Sequence, residues 1–114
     1  MSLKTSSRQV DGVTVVDLSG RIVLGEATTA LREILQGLAG RGQTKILLNL
    51  GEVSYIDSSG LGALVSGYTS LANQQGQLKL VNLTKKVQDL LQITKLLTVF
   101  EVFDDEAKAV KSFR

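Results

Sequence analysis

The stretch of sequence that decides the fold runs from residue 45 to residue 76. It begins with Lys45-Ile46-Leu47-Leu48-Asn49-Leu50, a short and nearly continuous apolar run that is typical of a strand buried on both faces. Residues 58–74 then change to helical spacing, and Gly76 is expected to close the helix. The apolar residues of this helix fall on one face: Leu61, Leu64, Val65, Tyr68, Leu71 and Ala72. A buried strand followed by an amphipathic helix predicts an α/β fold.

The same alternation of strands and helices extends in both directions. The predicted elements are strands 4–10 and 13–19 around the hairpin signal Asp11-Gly12, a helix over 26–39 ended by Gly40, strand 45–50, helix 58–74, strand 77–82, a helix capped by Thr84, strand 98–103, and a helix from Asp105 with Ala107 and Val110 on its apolar side. Helix-length connections imply parallel pairing, whereas the opening hairpin is antiparallel. The prediction is therefore one α/β domain over residues 1–114, with a mixed sheet, an N-terminal β-hairpin and about four helices in the order ββαβαβαβα.

The apolar stripes of these elements also predict which side chains form the core. The expected core residues are Val15, Ile34, Leu35, Ile46, Leu48, Leu61, Leu64, Val65, Tyr68, Leu80, Val87 and Leu91.

The composition excludes much of enzyme chemistry. The 114 residues contain no cysteine and no histidine, so disulfides, zinc sites, thiol nucleophiles and imidazole-based triads are absent. We expect no catalytic activity, no metal and no cofactor. A net charge of +2 with few aromatic residues does not predict direct binding to nucleic acid. There is no apolar run of membrane-spanning length and no signal-peptide pattern, so we expect no membrane contact and a cytoplasmic protein.

The residues that open the central helix are unusual for a helix start. Ile56-Asp57-Ser58-Ser59-Gly60-Leu61-Gly62 places two serines and two glycines in or near the first turn, where better helix formers exist. If Asp57 is the N-cap, Ile56 and Leu61 form a hydrophobic staple, and Ser58 projects outward as the first helical residue. If Ser58 were the cap, the staple would be lost. A helix cap without further function remains an alternative explanation.

Neither the nucleotide-binding motifs nor the serine hydrolase motif fits this segment. Gly60-Leu61-Gly62 is not followed by a third glycine at Val65, and the chain has no Gly-Lys-Ser/Thr sequence. It also has no Gly-x-Ser-x-Gly elbow.

The segment does resemble a known protein family. Residues 49–64, which include Asp57-Ser58-Ser59-Gly60-Leu61-Gly62, are similar to the signature of the anti-sigma factor antagonists, the STAS-domain family. Further similarities are Leu18-Ser19-Gly20-Arg21-Ile22 and Gly76-Gln77-Leu78-Lys79-Leu80-Val81-Asn82. The resemblance covers essentially the whole chain.

The resemblance implies a regulatory function. Ser58, with Ser59 as the fallback, would be phosphorylated by an anti-sigma factor that is also a serine/threonine kinase. The unmodified chain would bind that kinase and free sigma, and a PP2C-type phosphatase would reset it. The implied partner-binding residues are Asp57, Ser58, Ser59, Gly60, Leu61, Gly62, Val23 and Glu26.

One departure from the family pattern concerns the partner. Many antagonists carry an Asp where this chain has Val23, and Glu26 is the nearest carboxylate. The alternative function is a STAS module that binds a nucleotide or a lipid in the groove beside the second helix, or that acts in a larger signalling scaffold or a transporter.

Overall fold

The computed structural model describes residues 3–113. The elements follow in this order: β1 (Lys4–Val10), β2 (Val13–Ile22), α1 (Glu26–Gly40), β3 (Lys45–Ile56), α2 (Ser58–Asn73), β4 (Gln77–Val81), α3 (Lys85–Ile93), a short 3-10 helix (Leu96–Thr98), β5 (Val102–Phe103) and α4 (Glu106–Lys111). This order confirms the predicted ββαβαβαβα arrangement, with the 3-10 helix as an addition.

The sheet is mixed, as the sequence predicts. Its five strands lie in the order β1-β2-β3-β4-β5, with β1 antiparallel to β2 and the other neighbours parallel. Asp11 and Gly12 join the first two strands with positive φ angles of 49° and 81°. Two such angles define a turn whose twist matches that of the flanking strands.

The helices cover the two faces of the sheet unequally. The main core joins one sheet face to apolar residues of α1, α2 and α3. A smaller cluster on the opposite face joins Val13, Val15, Leu47 and Val81 to Ala109, Val110 and Phe113, in and just after α4. Strand β3 is therefore buried on both faces over its first half, as predicted, with Ile46, Leu47 and Leu48 fully inaccessible.

Most of the predicted core residues are buried. Ile34, Val65 and Tyr68 are the exceptions, since they are only partly buried and pack against the edge of the main core. Ala107 is also exposed, whereas Ala109 and Val110 form the buried side of α4.

The prediction of a strand over residues 98–103 is wrong for most of its length. Only Val102 and Phe103 pair with β4, and the chain before them forms the 3-10 helix and a bend. Phe100 explains the difference, because it is 3% exposed and its ring meets Tyr68 edge-on at 5.4 Å. Burying Phe100 against α2 requires the chain to turn inward before it joins the sheet.

The ends of several elements differ from the predictions. Strand β4 ends at Val81 rather than at residue 82, and α1 includes Gly40. Helix α2 ends at Asn73, and Gln75 rather than Gly76 takes the left-handed conformation, with φ 61°. Gly76 is needed for space instead, because a Cβ there would lie 2.6 Å from the carbonyl oxygen of Thr44.

The largest differences are the extensions of two strands. Strand β2 continues past residue 19 to Ile22, and β3 continues past residue 50 to Ile56. Both extensions pass through irregular pairing, with register shifts near Ser19 and Gly20. They bring the carboxyl ends of β2 and β3 side by side, where the unusual segment from Asp57 begins.

Candidate functional site

The site lies where the parallel strands β2 and β3 end together. Ile22 pairs with Ile56 at the last register position, and the backbone N–H of Asp57 donates to the Ile22 carbonyl at 3.2 Å. The loop over residues 23–25 leaves β2 at this point, and α2 leaves β3. The carboxyl ends of parallel strands are the usual place for functional groups in α/β proteins.

Asp57 joins these two segments. One carboxylate oxygen accepts from the backbone N–H of Gly60 at 2.9 Å, which confirms Asp57 as the N-cap of α2. The other accepts from the backbone N–H of Leu24 at 3.0 Å, so the same side chain fixes the loop against the helix. Donation from Leu24 and then from Gly60 lowers the pKa of Asp57 below its ordinary value. The charged Asp57 side chain therefore links the loop to the helix, and both of its oxygens accept hydrogen bonds from the chain's own backbone.

Ser58 is free of the capping role. It is the first residue of α2 and is exposed, and its hydroxyl makes no hydrogen bond to any described residue. Ser59, the fallback, is partly buried. The unpaired N–H groups of a helix N-terminus also favour a negative charge at this position. The geometry therefore presents the Ser58 hydroxyl to solvent without cost to the cap.

Gly60 and Leu61 lie inside the protein rather than on its surface. A Cβ at Gly60 would overlap the carbonyl oxygen of Ile22 and lie 2.7 Å from the Ile56 side chain. Leu61 is 8% exposed and belongs to the main core with Ile56, as the proposed staple requires. These two positions set the helix close to the strand ends and so position Ser58.

Gly62 has no comparable structural reason to be glycine. It is exposed, and outside its own helical backbone and its chain neighbours no described atom would lie within 4 Å of a Cβ built on it. Glycine inside a helix destabilises it by roughly 1 kcal/mol relative to alanine. Such a residue is expected where another backbone approaches closely.

The loop before α1 contains a residue that sequence reasoning missed. Leu24 is 76% exposed, whereas the predicted residue Val23 is partly buried. Gly25 caps α1 with φ 112°, and Glu26 is exposed in the first helical turn. The available signal was the apolar pair Val23-Leu24 in a loop, where polar residues are usual.

Arg21 and Tyr55 add a charged and aromatic feature to the same end of the sheet. They are register partners on β2 and β3, and the Arg21 guanidinium carbon lies 5.3 Å from the centre of the Tyr55 ring. Tyr55 is 41% exposed. A cation held over an aromatic face is restrained in position while it remains accessible.

The groove beside α2 is small. Residues of α1 and α2, among them Arg32, Leu35, Ser66 and Ser70, enclose about 70 Å³. Small-molecule sites commonly measure about 300–1,000 Å³, so this groove does not favour the nucleotide or lipid alternative. Residues 3–113 contain no acidic, histidine or cysteine cluster suited to a metal ion, and none of their helices has the length and hydropathy to cross a membrane.

Comparison with known proteins identifies the family. The STAS domain model matches residues 4–109, and the chain belongs to the STAS domain family. Its relatives include the anti-sigma-B factor antagonist of Bacillus subtilis, which is 33% identical over 90% of this chain and 92% of its own length. The corresponding antagonist of Listeria monocytogenes is 30% identical over 95% of this chain and 93% of its own. Anti-sigma factor antagonists are regulatory binding proteins, which agrees with the prediction that this chain is not an enzyme.

Solved structures share the fold. TM1081 from Thermotoga maritima has a TM-score of 0.89 at 25% identity, covering 96% of this chain and 94% of its own. The Bacillus cell fate determinant SpoIIAA in its phosphorylated form has a TM-score of 0.75 at 22% identity, covering 97% of this chain and 100% of its own. A sulfate transporter family protein from Wolinella succinogenes also shares the fold, with a TM-score of 0.72 at 19% identity over 90% of this chain and 85% of its own. The fold alone therefore does not select the function.

Proposed function

We propose that this chain is an anti-sigma factor antagonist that is switched by phosphorylation of Ser58. Unmodified, it binds an anti-sigma factor that is also a serine/threonine kinase, and this binding frees sigma in the cytoplasm. Phosphorylation of Ser58 by the bound kinase ends the complex, and a PP2C-type phosphatase restores the unmodified chain. The chain itself contributes no catalysis.

The observation that carries the proposal is that Asp57 makes the structural hydrogen bonds at the start of α2, whereas the Ser58 hydroxyl makes none to any described residue. Asp57 supplies the cap and holds the 23–25 loop, so Ser58 has no part in the fold that phosphorylation would disturb. Its hydroxyl is exposed on the first residue of α2. A kinase needs an accessible hydroxyl, and a switch needs a fold that survives the modification. The position of Ser58 satisfies both requirements.

The electrostatics of phosphorylation are sufficient for a switch. A phosphate adds about −1.5 to −2 charges and three acceptor oxygens. At the N-terminus of α2 this charge is tolerated by the chain's own N–H groups. A partner carboxylate about 4 Å away would be repelled by roughly 4 kcal/mol per charge pair at an effective dielectric of about 20. Since 1.4 kcal/mol is about tenfold in affinity, one such contact weakens binding about a thousandfold.

The relatives support the same proposal. The Bacillus subtilis and Listeria proteins are named antagonists of the anti-sigma-B factor, and SpoIIAA, which shares the fold, exists in a phosphorylated form. The surface around Ser58 fits a protein partner, because Leu24 and Gly62 are both exposed beside it without a structural reason.

The experiment that tests the proposal is mass spectrometry of the chain purified from its native cell. We expect phosphate on Ser58, and we expect tagged Ser58→Ala to retain a serine kinase that wild type releases once it is modified. Ser66→Ala is the matched control, because Ser66 is exposed on the same helix and lies two turns further on.

Three results would contradict the proposal. Phosphate found on Ser59 alone would move the switch by one residue. If the chain is never modified within residues 57–60, the phosphorylation switch is refuted. If the Ser58→Ala chain retains no kinase, the proposed partner is refuted.

A further inference from the structure

Helix α3 has an apolar surface that no other part of the described chain covers. Ile93, in its last turn, is 78% exposed, more than any other large apolar side chain of the described residues. Beside it, a groove of about 160 Å³ runs between α3 and the end of β3. The residues that line the groove are mostly apolar: Tyr55, Ile56, Lys86, Val87, Asp89, Leu90 and Ile93. We call these seven residues the α3 patch.

The α3 patch contains both a protruding side chain and a groove that can receive one. An apolar cavity of about 150 Å³ holds a molecule the size of benzene, so the groove has room for one aliphatic side chain. Small-molecule sites commonly measure about 300–1,000 Å³, so the groove does not favour a ligand the size of a nucleotide. A patch that carries both parts is complementary to itself, which is the property of a contact between two identical chains related by a twofold axis.

The charges of α3 are placed against its helix dipole. Lys85 and Lys86 open the helix, where the free N–H groups carry a partial positive charge, and its first turn has no acidic residue. Its last turn has no basic residue to offset the partial negative charge of the terminal carbonyl groups. Lys85 meets Asp89 at 3.4 Å, whereas Lys86 forms no salt bridge with any residue in the range 3–113. In the single chain the Lys86 charge therefore lies at the end of the helix that disfavours it.

A second copy of α3, packed antiparallel to the first, removes this conflict. The first turn of each helix then lies beside the last turn of the other, so that Lys86 of each copy approaches the terminal carbonyl groups of the other copy's α3. The same arrangement brings the protruding Ile93 of each copy to the Lys86 end of the other copy's groove. Shape and charge thus favour the same occupant.

We infer that the α3 patch is the contact surface of a symmetric dimer of this chain. The inference is independent of the proposed function, because it involves neither Ser58 nor the 23–25 loop. A helix of nine residues is about 14 Å long and about 10–12 Å wide. The contact therefore buries less than the roughly 1,200 Å² of stable interfaces, and the dimer is weak and depends on concentration.

The experiment measures the weight-average mass of the purified full chain by sedimentation equilibrium, from about 10 μM to about 1 mM. We expect the mass to rise from that of one chain toward twice that value. Ile93→Ser should raise the dissociation constant at least tenfold, because the dimer loses a buried aliphatic side chain. Leu24→Ser is the matched control, since Leu24 is 76% exposed but lies outside the α3 patch, and it should dimerise like wild type.

Lys86→Glu separates the dimer from a merely structural role of the patch. A carboxylate in the first turn of α3 suits the helix dipole, so the Tm of the monomer should rise. In the antiparallel dimer the same carboxylate faces the terminal carbonyl groups of the other copy, so the dissociation constant should rise at least threefold.

Four results would overturn the inference. Wild type could keep the mass of one chain up to about 1 mM, or Ile93→Ser could dimerise as strongly as wild type. Loss of the dimer in Leu24→Ser would place the contact at the loop before α1 instead. Tighter dimerisation of Lys86→Glu would show that the lysines do not face the carbonyl ends of a second α3.

Discussion

Replacing Gly62 with alanine should stabilise the protein and weaken its complex at the same time. Beyond the helix's own backbone and the adjacent residues, no described atom lies within 4 Å of the added Cβ, so the change carries no steric cost in the free chain. Alanine is favoured over glycine inside a helix by about 1 kcal/mol, which for a domain of this size raises the Tm by about 3–6 °C. If a partner backbone approaches Gly62, the new methyl group holds it away, and we expect at least a tenfold loss of affinity.

Two other glycines provide matched controls for this prediction. Gly37 lies within α1, where an added Cβ would make only ordinary contact with the Arg41 side chain at 3.6 Å. Gly37→Ala should give a similar rise in Tm with unchanged binding. Gly60→Ala should lower the free energy of unfolding by about 1–3 kcal/mol, since its Cβ would overlap the Ile22 carbonyl.

The assays are thermal melting of the free chains and calorimetric titration with the partner kinase. The reasoning fails if Gly62→Ala stabilises the chain and binds as tightly as Gly37→Ala. It also fails if Gly62→Ala is destabilised, because the site would then lack the open space on which the expected stabilisation depends.

Three further predictions concern charged groups. Asp57→Asn should lower the Tm. Hydrogen bonds from Leu24 and Gly60 lower the Asp57 pKa from its ordinary 3.8, so the wild-type Tm should exceed that of the variant above about pH 4. This difference in Tm should disappear as the pH falls through the lowered pKa, and thermal melts at several pH values would measure it. Arg8 pairs with Asp17 at 2.8 Å and with Glu106 at 2.6 Å, so Arg8→Met should lower the free energy of unfolding in urea by about 0.5–1 kcal/mol. Because Arg8 lowers the pKa of both carboxyl groups, this loss of stability should disappear in acid, where the two groups are protonated. Lys79→Ala should cost about 1–3 kcal/mol and speed hydrogen exchange in α4, since the buried Lys79 ammonium holds Ser112 at the end of that helix.

Local patterns were enough to predict the architecture. Asp11-Gly12 specifies its turn by backbone preference, and Asp57 specifies the start of α2 because an Asp cap and the apolar staple agree. Where local signals agree in this way, the local conformation depends little on tertiary contacts. The same agreement distinguishes Asp57, as the cap, from Ser58 without any tertiary information.

The predictions were wrong or incomplete where contacts between residues far apart in the sequence determine the local structure. Phe100 lies in a strand-like run, but its burial against Tyr68 bends the chain, and that contact joins residues far apart in the sequence. The extension of β3 to Ile56 depends on pairing with β2, which local spacing does not reveal. Leu24 was missed for a related reason, since its loop is held by a hydrogen bond from the Leu24 backbone N–H to Asp57, which lies 33 residues further along the chain.

The central claim is that phosphate on Ser58 dissociates the complex while leaving the fold intact. The most direct measurement is a calorimetric comparison of the unmodified and the Ser58-phosphorylated chain against the same kinase, with a thermal melt of each. The account predicts an affinity loss of about a thousandfold for the phosphorylated chain, full affinity for Ser58→Ala, and melting temperatures within a few degrees of one another. Equal affinity of the modified and unmodified chains would contradict it, and so would a phosphorylated chain that loses binding only because it has unfolded.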